Sequence, residues 1–491
     1  MRKFLKNNIL EIFDTIYSAH KTIKKLAEKK DYDTIIAVLS DCQNTAIQIG
    51  NVIEESEGEG FITVSYLEKY CEEIYNIAQN LSSEEVGSKI QKSLDKTIMS
   101  AESSVKNDIK VKLEVVFCPY NASMWDSLES IWKAANDDPD CNAYVVVAPY
   151  YDRNPDHSFG KFHYEADKFP DYVPIIHYES FDFEKIHPDI VYIQNPYDDN
   201  NFVTSVDPKF YSFNLKKYTD CLIYVPYHIS GTFCSDTAKN NIFSAFLYAD
   251  KIILPSEKQK LFYMSAGLPE SRFEVLGNPK FDFIVNELDN IKIPEEWINI
   301  CENKKVFLLN STISKLLSDE NWSKNTLSLI ENFKDSSDCV LIWRPHPLLK
   351  ATIESMRPDK IKEFNHVVNV MNENKNIIID TTPSVFPAIK ISNALISDYS
   401  SIIMQYSLTG KPALITVGKT SFRNTRVVCF DYFSNYFIRD GVTVDDFITM
   451  IKENKDERKE ERIRTMSESV VNIDGTSGIK IHNKIKETAM R

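Results

Sequence analysis

From Val111 onward the chain alternates between short β-branched or aromatic runs and segments whose apolar residues recur at helical spacing. The first series of runs is VKLEVVFCPY (Val111–Tyr120), NAYVVVAPY (Asn142–Tyr150), DIVYIQNPY (Asp189–Tyr197), CLIYVPYH (Cys221–His228), DKIILP (Asp250–Pro255) and FEVLGNP (Phe273–Pro279). A second series follows: KVFLLN (Lys305–Asn310), DCVLIWRPHP (Asp338–Pro347), NIIID (Asn376–Asp380), NALIS (Asn393–Ser397) and PALITV (Pro412–Val417). Apolar strands separated by helices call for parallel sheets covered on both faces, because each crossover helix must bury its own stripe. The pattern predicts an α/β protein with two Rossmann-like lobes and a cleft between them. Ligands bind such sheets outside the carboxyl ends of the strands, so functional residues are expected just after strands.

The first 105 residues differ. They contain no proline, and their apolar residues (Ile9, Ile12, Ile16, then Ile35, Ile36, Val38, Leu39) follow a helical period. A helical bundle is expected, broken near Asp31, at EESEGEG (Glu54–Gly60) and near Leu81–Glu84. The expected division is a helical region over 1–108, an acceptor-side lobe over 109–280, and a nucleotide-side lobe with a C-terminal helix over 281–491.

A net charge of -14 argues against a broad nucleic-acid footprint, which needs concentrated basic surface. The N-terminal stretch is locally basic, with Arg2, Lys3, Lys6, Lys21, Lys24, Lys25, Lys29 and Lys30 outnumbering Glu11, Asp14 and Glu28. It can touch anionic lipid on the inner membrane face, although a solvated helix face explains the same charges. The nine cysteines form no CxxC pair, and no apolar run approaches the ~18 residues of a membrane span. The expectation is a cytoplasmic protein, peripheral on the membrane at most, with no metal and no cofactor. Whether the helical region binds acceptor, partner or membrane, or pairs subunits into a homo-oligomer, stays open.

Three constellations carry chemistry. In NALISDYSSIIMQYSLTGKPALITV a strand turns tightly into a short helix that Asp398 or Ser400 can cap. Its free N–H groups, with the hydroxyls of Ser400 and Ser401, suit a diphosphate, while plain capping explains the same residues. In RPHP, Pro345 and Pro347 pin a loop carrying Arg344 and His346 directly after a buried strand, aimed at phosphate oxygens and a leaving phosphate. In YVPYHISGT, His228 follows a strand of the first lobe and can take a proton from an attacking hydroxyl, with Ser230, Gly231 and Thr232 offering donors beside it. A hydrogen-bonded histidine at a strand end is the bland alternative.

Taken in order, YHISGT, GNPKFD (Gly277–Asp282), LLNST (Leu308–Thr312), RPHP, SDYSS (Ser397–Ser401), FDYFSNYF (Phe430–Phe437) and DGTSG (Asp474–Gly478) resemble the CDP-glycerol glycerophosphotransferase family of teichoic acid synthesis, over roughly residues 220–480. The resemblance implies a GT-B fold and transfer of a polyol phosphate from a CDP-linked polyol donor to a hydroxyl of a glycan or lipid-linked acceptor, releasing CMP. It implies that His228 is the general base, that Arg344 and His346 hold the donor diphosphate, that Ser400 and Ser401 match the paired serines, and that Ser311 and Thr312 stand at the Pro-Thr loop. HISGT replaces the family's HGTP, Lys280 replaces an arginine, and Gln405 replaces an acidic residue after the paired serines. A GT-B glycosyltransferase using a UDP-, CMP- or CDP-linked sugar, and a non-catalytic nucleotide-binding scaffold, remain open alternatives at this level.

Overall fold

The computed structural model describes all residues except 82–86, 155, 202, 230–231, 235–241, 347–348, 399, 417–425, 429, 431–433, 439–440 and 491; at 87–88, 232–234, 351, 355 and 426–428 it describes the backbone alone. The chain divides into two compact units, one of residues 1–115, 138–142 and 184–189, the other of the remainder.

The first unit is built on four helices, α1 (Lys3–Lys29), α2 (Tyr32–Glu57), α3 (Ile62–Gln79) and α4 (Gly87–Asn107). Ile9, Phe13, Ile16 and Ile23 of α1 recur every three to seven residues and meet Ile35, Leu39, Ala46 and Ile53 of α2 and Leu94, Ile98, Ala101 and Val105 of α4 in one core. The breaks have local causes. Lys30 adopts a left-handed φ of 57°, and Asp31 caps α2 by accepting from the Thr34 N–H; Gly58, at φ 96°, ends that helix. The third expected break, near Leu81–Glu84, falls mostly outside the described residues. One polar network crosses the bundle: buried His20 meets Asp95 through Nδ1 at 2.7 Å and the Tyr70 hydroxyl through Nε2 at 2.6 Å. Such a satisfied network fixes which faces pair, which apolar contacts alone do not.

The strands of the first lobe are β1 (Leu113–Cys118), β2 (Cys141–Val146), β3 (Tyr150–Arg153), β4 (Phe159–His163), β5 (Ile175–Ile176), β6 (Ile190–Ile193), β7 (Thr204–Val206), β8 (Cys221–Tyr224), β9 (Thr232–Cys234), β10 (Lys251–Leu254) and β11 (Phe273–Val275). Seven of them form a sheet in the order β11-β10-β8-β6-β1-β2-β5, and β4-β3-β7 form a small antiparallel sheet. The second lobe has β12 (Lys305–Ser311), β13 (Cys339–Pro345), β14 (Ile377–Ile379), β15 (Ala394–Ser397), β16 (Ala413–Ile415), β17 (Arg426–Val428) and β18 (Tyr436–Phe437), with the parallel order β14-β13-β12-β15-β16-β18. Successive residues of β12 serve opposite faces, Val306 and Leu308 in one core, Phe307 and Leu309 in the other. Every strand run read from the sequence is a strand here.

Two connections tie the lobes. β9 and β17 pair antiparallel, with Thr232 opposite Val428 and Cys234 opposite Arg426, so a strand that begins on the last residue of HISGT is laced to the second lobe. The final helix, Ser477–Met490, returns to the first lobe and packs on α5 (Glu129–Asn136) and on the connecting helix Pro279–Glu287. Asp282 is the junction: its carboxylate accepts from the Ser130 hydroxyl at 2.8 Å and from the N–H groups of Ser477 and Gly478 at 3.0 and 2.6 Å. It thereby satisfies the first donors of the last helix. Gly277 sits against the same segment at φ 99°, where a Cβ would lie 2.9 Å from the Val471 carbonyl and collide with Ser477. No other residue fits that turn without displacing the returning chain. Among the described residues no helix is long and apolar enough to cross a membrane.

Candidate active site

In the second sheet Asn310 pairs with Arg344 on one side and Ser397 on the other, and Ser311 pairs with Pro345. The motifs LLNST, RPHP and SDYSS therefore end side by side. Chain order runs β12, β13, β14 in one direction and resumes with β15 in the other, so the switch point lies between β12 and β15. Ligands of open α/β sheets bind at such points.

Thr312 and Asp398 meet there. Thr312 caps the helix Ile313–Ser318, its Oγ1 accepting from the Lys315 N–H, and it donates to Asp398 Oδ2 from both N–H and hydroxyl, at 3.1 and 2.8 Å. Asp398 Oδ1 is buried with no partner among the described residues. Burial outweighs the Thr312 bonds and pushes the carboxyl pKa up to about 6. Asp398 is thus committed to Thr312, and Ser400, one residue before Ser401, the N-cap of the following helix, accepts from the Ile402 N–H at 3.2 Å. Ser401 opens that helix half-buried, and Gln405 is buried within it.

Ser311 and Arg344 have internal partners that the sequence did not reveal. Buried Ser311 accepts from the Trp343 indole N–H at 3.0 Å. Arg344 Nη1 donates to Asp380 Oδ2 at 2.7 Å and to the Thr382 and Ser384 carbonyls at 3.0 and 3.2 Å, anchoring the loop after β14. The His346 N–H donates to the Ser311 carbonyl at 3.2 Å, joining two of the motif loops. The residue is exposed, yet desolvation of the ring first, then the charge of Arg344, lowers its pKa.

On the first lobe His228 lies four residues past β8, half-exposed, with Nδ1 buried and without a partner among the described residues. Desolvation first, then the charge of Lys280, lowers its pKa to about 4. The ring is therefore neutral at ordinary pH and able to accept a proton. Lys280 opens the connecting helix and pairs with Asp126 at 2.6 Å, both largely buried. Burial raises the Asp126 pKa, and Lys280 pulls it back. Ser230 and Gly231 lie outside the described residues, and Thr232 is described by its backbone in β9.

Between the lobes opens a cleft of about 770 Å³, walled by Trp125, Asp126 and Tyr172 of the first lobe, Phe283 of the connecting helix, and Thr382 and Ser384 of the second lobe. Lys280 and Arg344 stand behind these walls, bonded to Asp126 and to Thr382 and Ser384. Sequence reasoning missed Asp126 and Asp380. Asp126 lies beyond β1 in the 3-10 helix Ala122–Ser127, where no motif marks it; Asp380 ends NIIID, a run read only as a strand.

A family model described as CDP-glycerol:poly(glycerophosphate) glycerophosphotransferase matches residues 235–487, just over half of the chain. No curated protein matches the sequence. Among solved structures, the S. aureus MnaA–UDP co-structure is similar at 16% identity and a TM-score of 0.50, over 77% of this chain and 96% of that one. A CDPG-soaked variant of the wall teichoic acid polymerase TagF aligns at 15% identity and a TM-score of 0.48, over 87% of this chain and 98% of that one. The architecture is GT-B-like: two parallel-sheet lobes facing one cleft, with helices preceding them.

Proposed function

Since the chain belongs to the CDP-glycerol:poly(glycerophosphate) glycerophosphotransferase family, we propose that it moves glycerol phosphate from CDP-glycerol to an acceptor hydroxyl, with His228 as base and the switch point of the second lobe as the donor site. The observation that carries the assignment of the donor site is the convergence of LLNST, RPHP and SDYSS at the ends of β12, β13 and β15. In this reading neutral His228 takes the proton of the acceptor hydroxyl as its oxygen attacks the β-phosphorus. The bond from that phosphorus to the bridging oxygen breaks, and CMP leaves with the electron pair. His346, Arg344, Ser400, Ser401 and the helix end behind them stabilise the charge gathering on the departing phosphate. Burial keeps His228 neutral, and Lys280 adds to this through its field. Ser311, Thr312 and Gln405 are assigned to the floor of the donor site, and Ser230, Gly231 and Thr232 to the transferred phosphate.

A thermal-shift panel of CMP, CDP, CDP-glycerol, CDP-ribitol, UDP and UDP-sugars tests the donor. A ligand that binds only the folded state raises its stability by mass action, so CDP-glycerol should give the largest shift. A larger shift with a UDP-sugar would replace the reading with sugar transfer.

Asp398 gives this reading a pH signature. Its carboxyl is neutral below about pH 6 and negative above it, next to the site assigned to a diphosphate. Donor affinity should therefore fall as pH rises through 6, with proton uptake on binding, and Asp398→Asn should flatten the dependence between pH 5.5 and 7.5. Calorimetric titration in buffers of different ionisation enthalpy reads both; a flat wild-type profile removes Asp398 from the donor site.

The finer localisation rests on α1 and its end, where Lys21, Lys25, Lys29 and Lys30 are exposed. Contact of this basic stretch with anionic lipid predicts flotation with vesicles rich in phosphatidylglycerol, lost when the four lysines become glutamines. Equal flotation of both proteins would exclude that contact.

A further inference from the structure

We propose that the cleft beside the Lys280–Asp126 pair holds an uncharged, hydroxyl-rich sugar unit of the acceptor, and that it disfavours a chain of polyol phosphates. The inference rests on the reading above that the first lobe receives the acceptor, and it names the class of acceptor. At about 770 Å³ the cleft is of the size that encloses a small ligand such as a disaccharide.

Its walls combine two kinds of surface. Tyr172, 55% exposed, and half-buried Phe283 supply aromatic faces, while Trp125 and Phe386 on the same lining are buried. Flat rings of this kind offer apolar area to the C–H faces of a pyranose at little cost in side-chain freedom. Between them stand the carboxylates of Asp126, Glu129, Glu165 and Glu287, against two lining lysines, Lys133 and Lys168. Both lysines are already paired, Lys133 with Glu129 at 2.9 Å and Lys168 with Glu165 at 3.0 Å. A phosphate entering here would meet excess negative charge and no uncommitted cation on the lining. Hydroxyl groups would instead meet acceptors.

Those acceptors are held in position. Glu165 accepts from the Ala122 N–H at 3.0 Å and the Tyr150 hydroxyl at 2.9 Å, and Glu129 from the Tyr172 hydroxyl. An ionised carboxylate has about four lone-pair sites, so each keeps capacity for a ligand. Trp125 adds an unused donor: it is 3% exposed and its indole Nε1 has no partner among the described residues. Asp126 on its wall bonds Lys280, whose charge also acts on His228.

The test titrates the full-length protein, without donor, by intrinsic tryptophan fluorescence with three neutral disaccharides (N,N′-diacetylchitobiose, lactose, maltose) and with a glycerol phosphate trimer. Saturable binding of at least one disaccharide is expected, with its Kd raised tenfold or more by Tyr172→Ala and by Glu287→Gln. The trimer should bind at least tenfold more weakly. The proposal is overturned if none of the disaccharides binds, if the trimer binds as well, or if both variants keep the wild-type Kd. Melting temperature checks that each variant folds, and the CDP-glycerol thermal shift should be the same in variants and wild type. Loss of that shift in the wild type would overturn the donor reading, while the donor-free titration judges the sugar site separately.

Discussion

Replacing His228 with alanine should lower turnover by ~10²–10⁴-fold, the range lost with a positioned general base, while the CDP-glycerol thermal shift stays as in the wild type. In the proposed reading the ring serves the acceptor hydroxyl and not the donor, so binding and chemistry should separate in this variant. The pH profile gives a second reading. Because the pKa is depressed to about 4, the protonated and inactive form accumulates only as pH falls through that value. The contribution of His228 to kcat/KM should therefore be level from pH 6 to 8 and decline only on the acid side. Unchanged turnover in His228→Ala would remove the base from this position, and an acid limb near 6.5 would mean that the ring is more hydrated than its buried Nδ1 implies.

Arg344→Ala should destabilise the second lobe by about 3–5 kcal/mol, the cost of leaving one member of a buried ion pair alone. The Asp380 side chain is fully buried and meets Arg344 at 2.7 Å, so without the guanidinium its charge is held, among the described residues, by the Thr382 N–H and hydroxyl, at 2.9 and 2.6 Å. The double variant Arg344→Ala with Asp380→Asn should recover most of the loss, since no uncompensated charge remains. Urea unfolding followed by fluorescence measures both. If Arg344→Ala unfolds at the wild-type midpoint and loses only donor affinity, the guanidinium serves the ligand alone and the loop after β14 stands without it.

The strand pattern was legible because each run is bounded by its own chemistry: β-branched residues inside, Pro, Asn or Asp at the end, a helix beyond. The helical bundle was legible through its period and through Asp31 and Gly58, which act within a few residues of themselves. Side-chain partners were not, because they depend on which strand ends become neighbours. Arg344 reads as a phosphate ligand, and nothing in the sequence shows that it also holds Asp380, 36 positions on. Lys280 reads likewise, and its pairing with Asp126, 154 positions earlier, is equally unmarked. The pairing of β9 with β17 joins segments nearly two hundred residues apart, and RVV carries no mark of its partner. Asp398 shows the opposite case: its place at a helix start predicts capping, and a stronger claim from Thr312 takes it away.

The return of Ser477–Met490 to α5 and to Asp282 has a consequence for how the protein is made. The strands of the first sheet end at Val275, yet the helix that covers α5 emerges from the ribosome about 200 residues later. During synthesis the first lobe must wait with the carboxylate of Asp282 and the apolar face of α5 uncovered, while the whole second lobe is translated and folds. Vectorial folding, with one domain completed before the next begins, is thus closed to this chain, and holdase chaperones that mask apolar surface should engage the nascent first lobe until residue 490 is free.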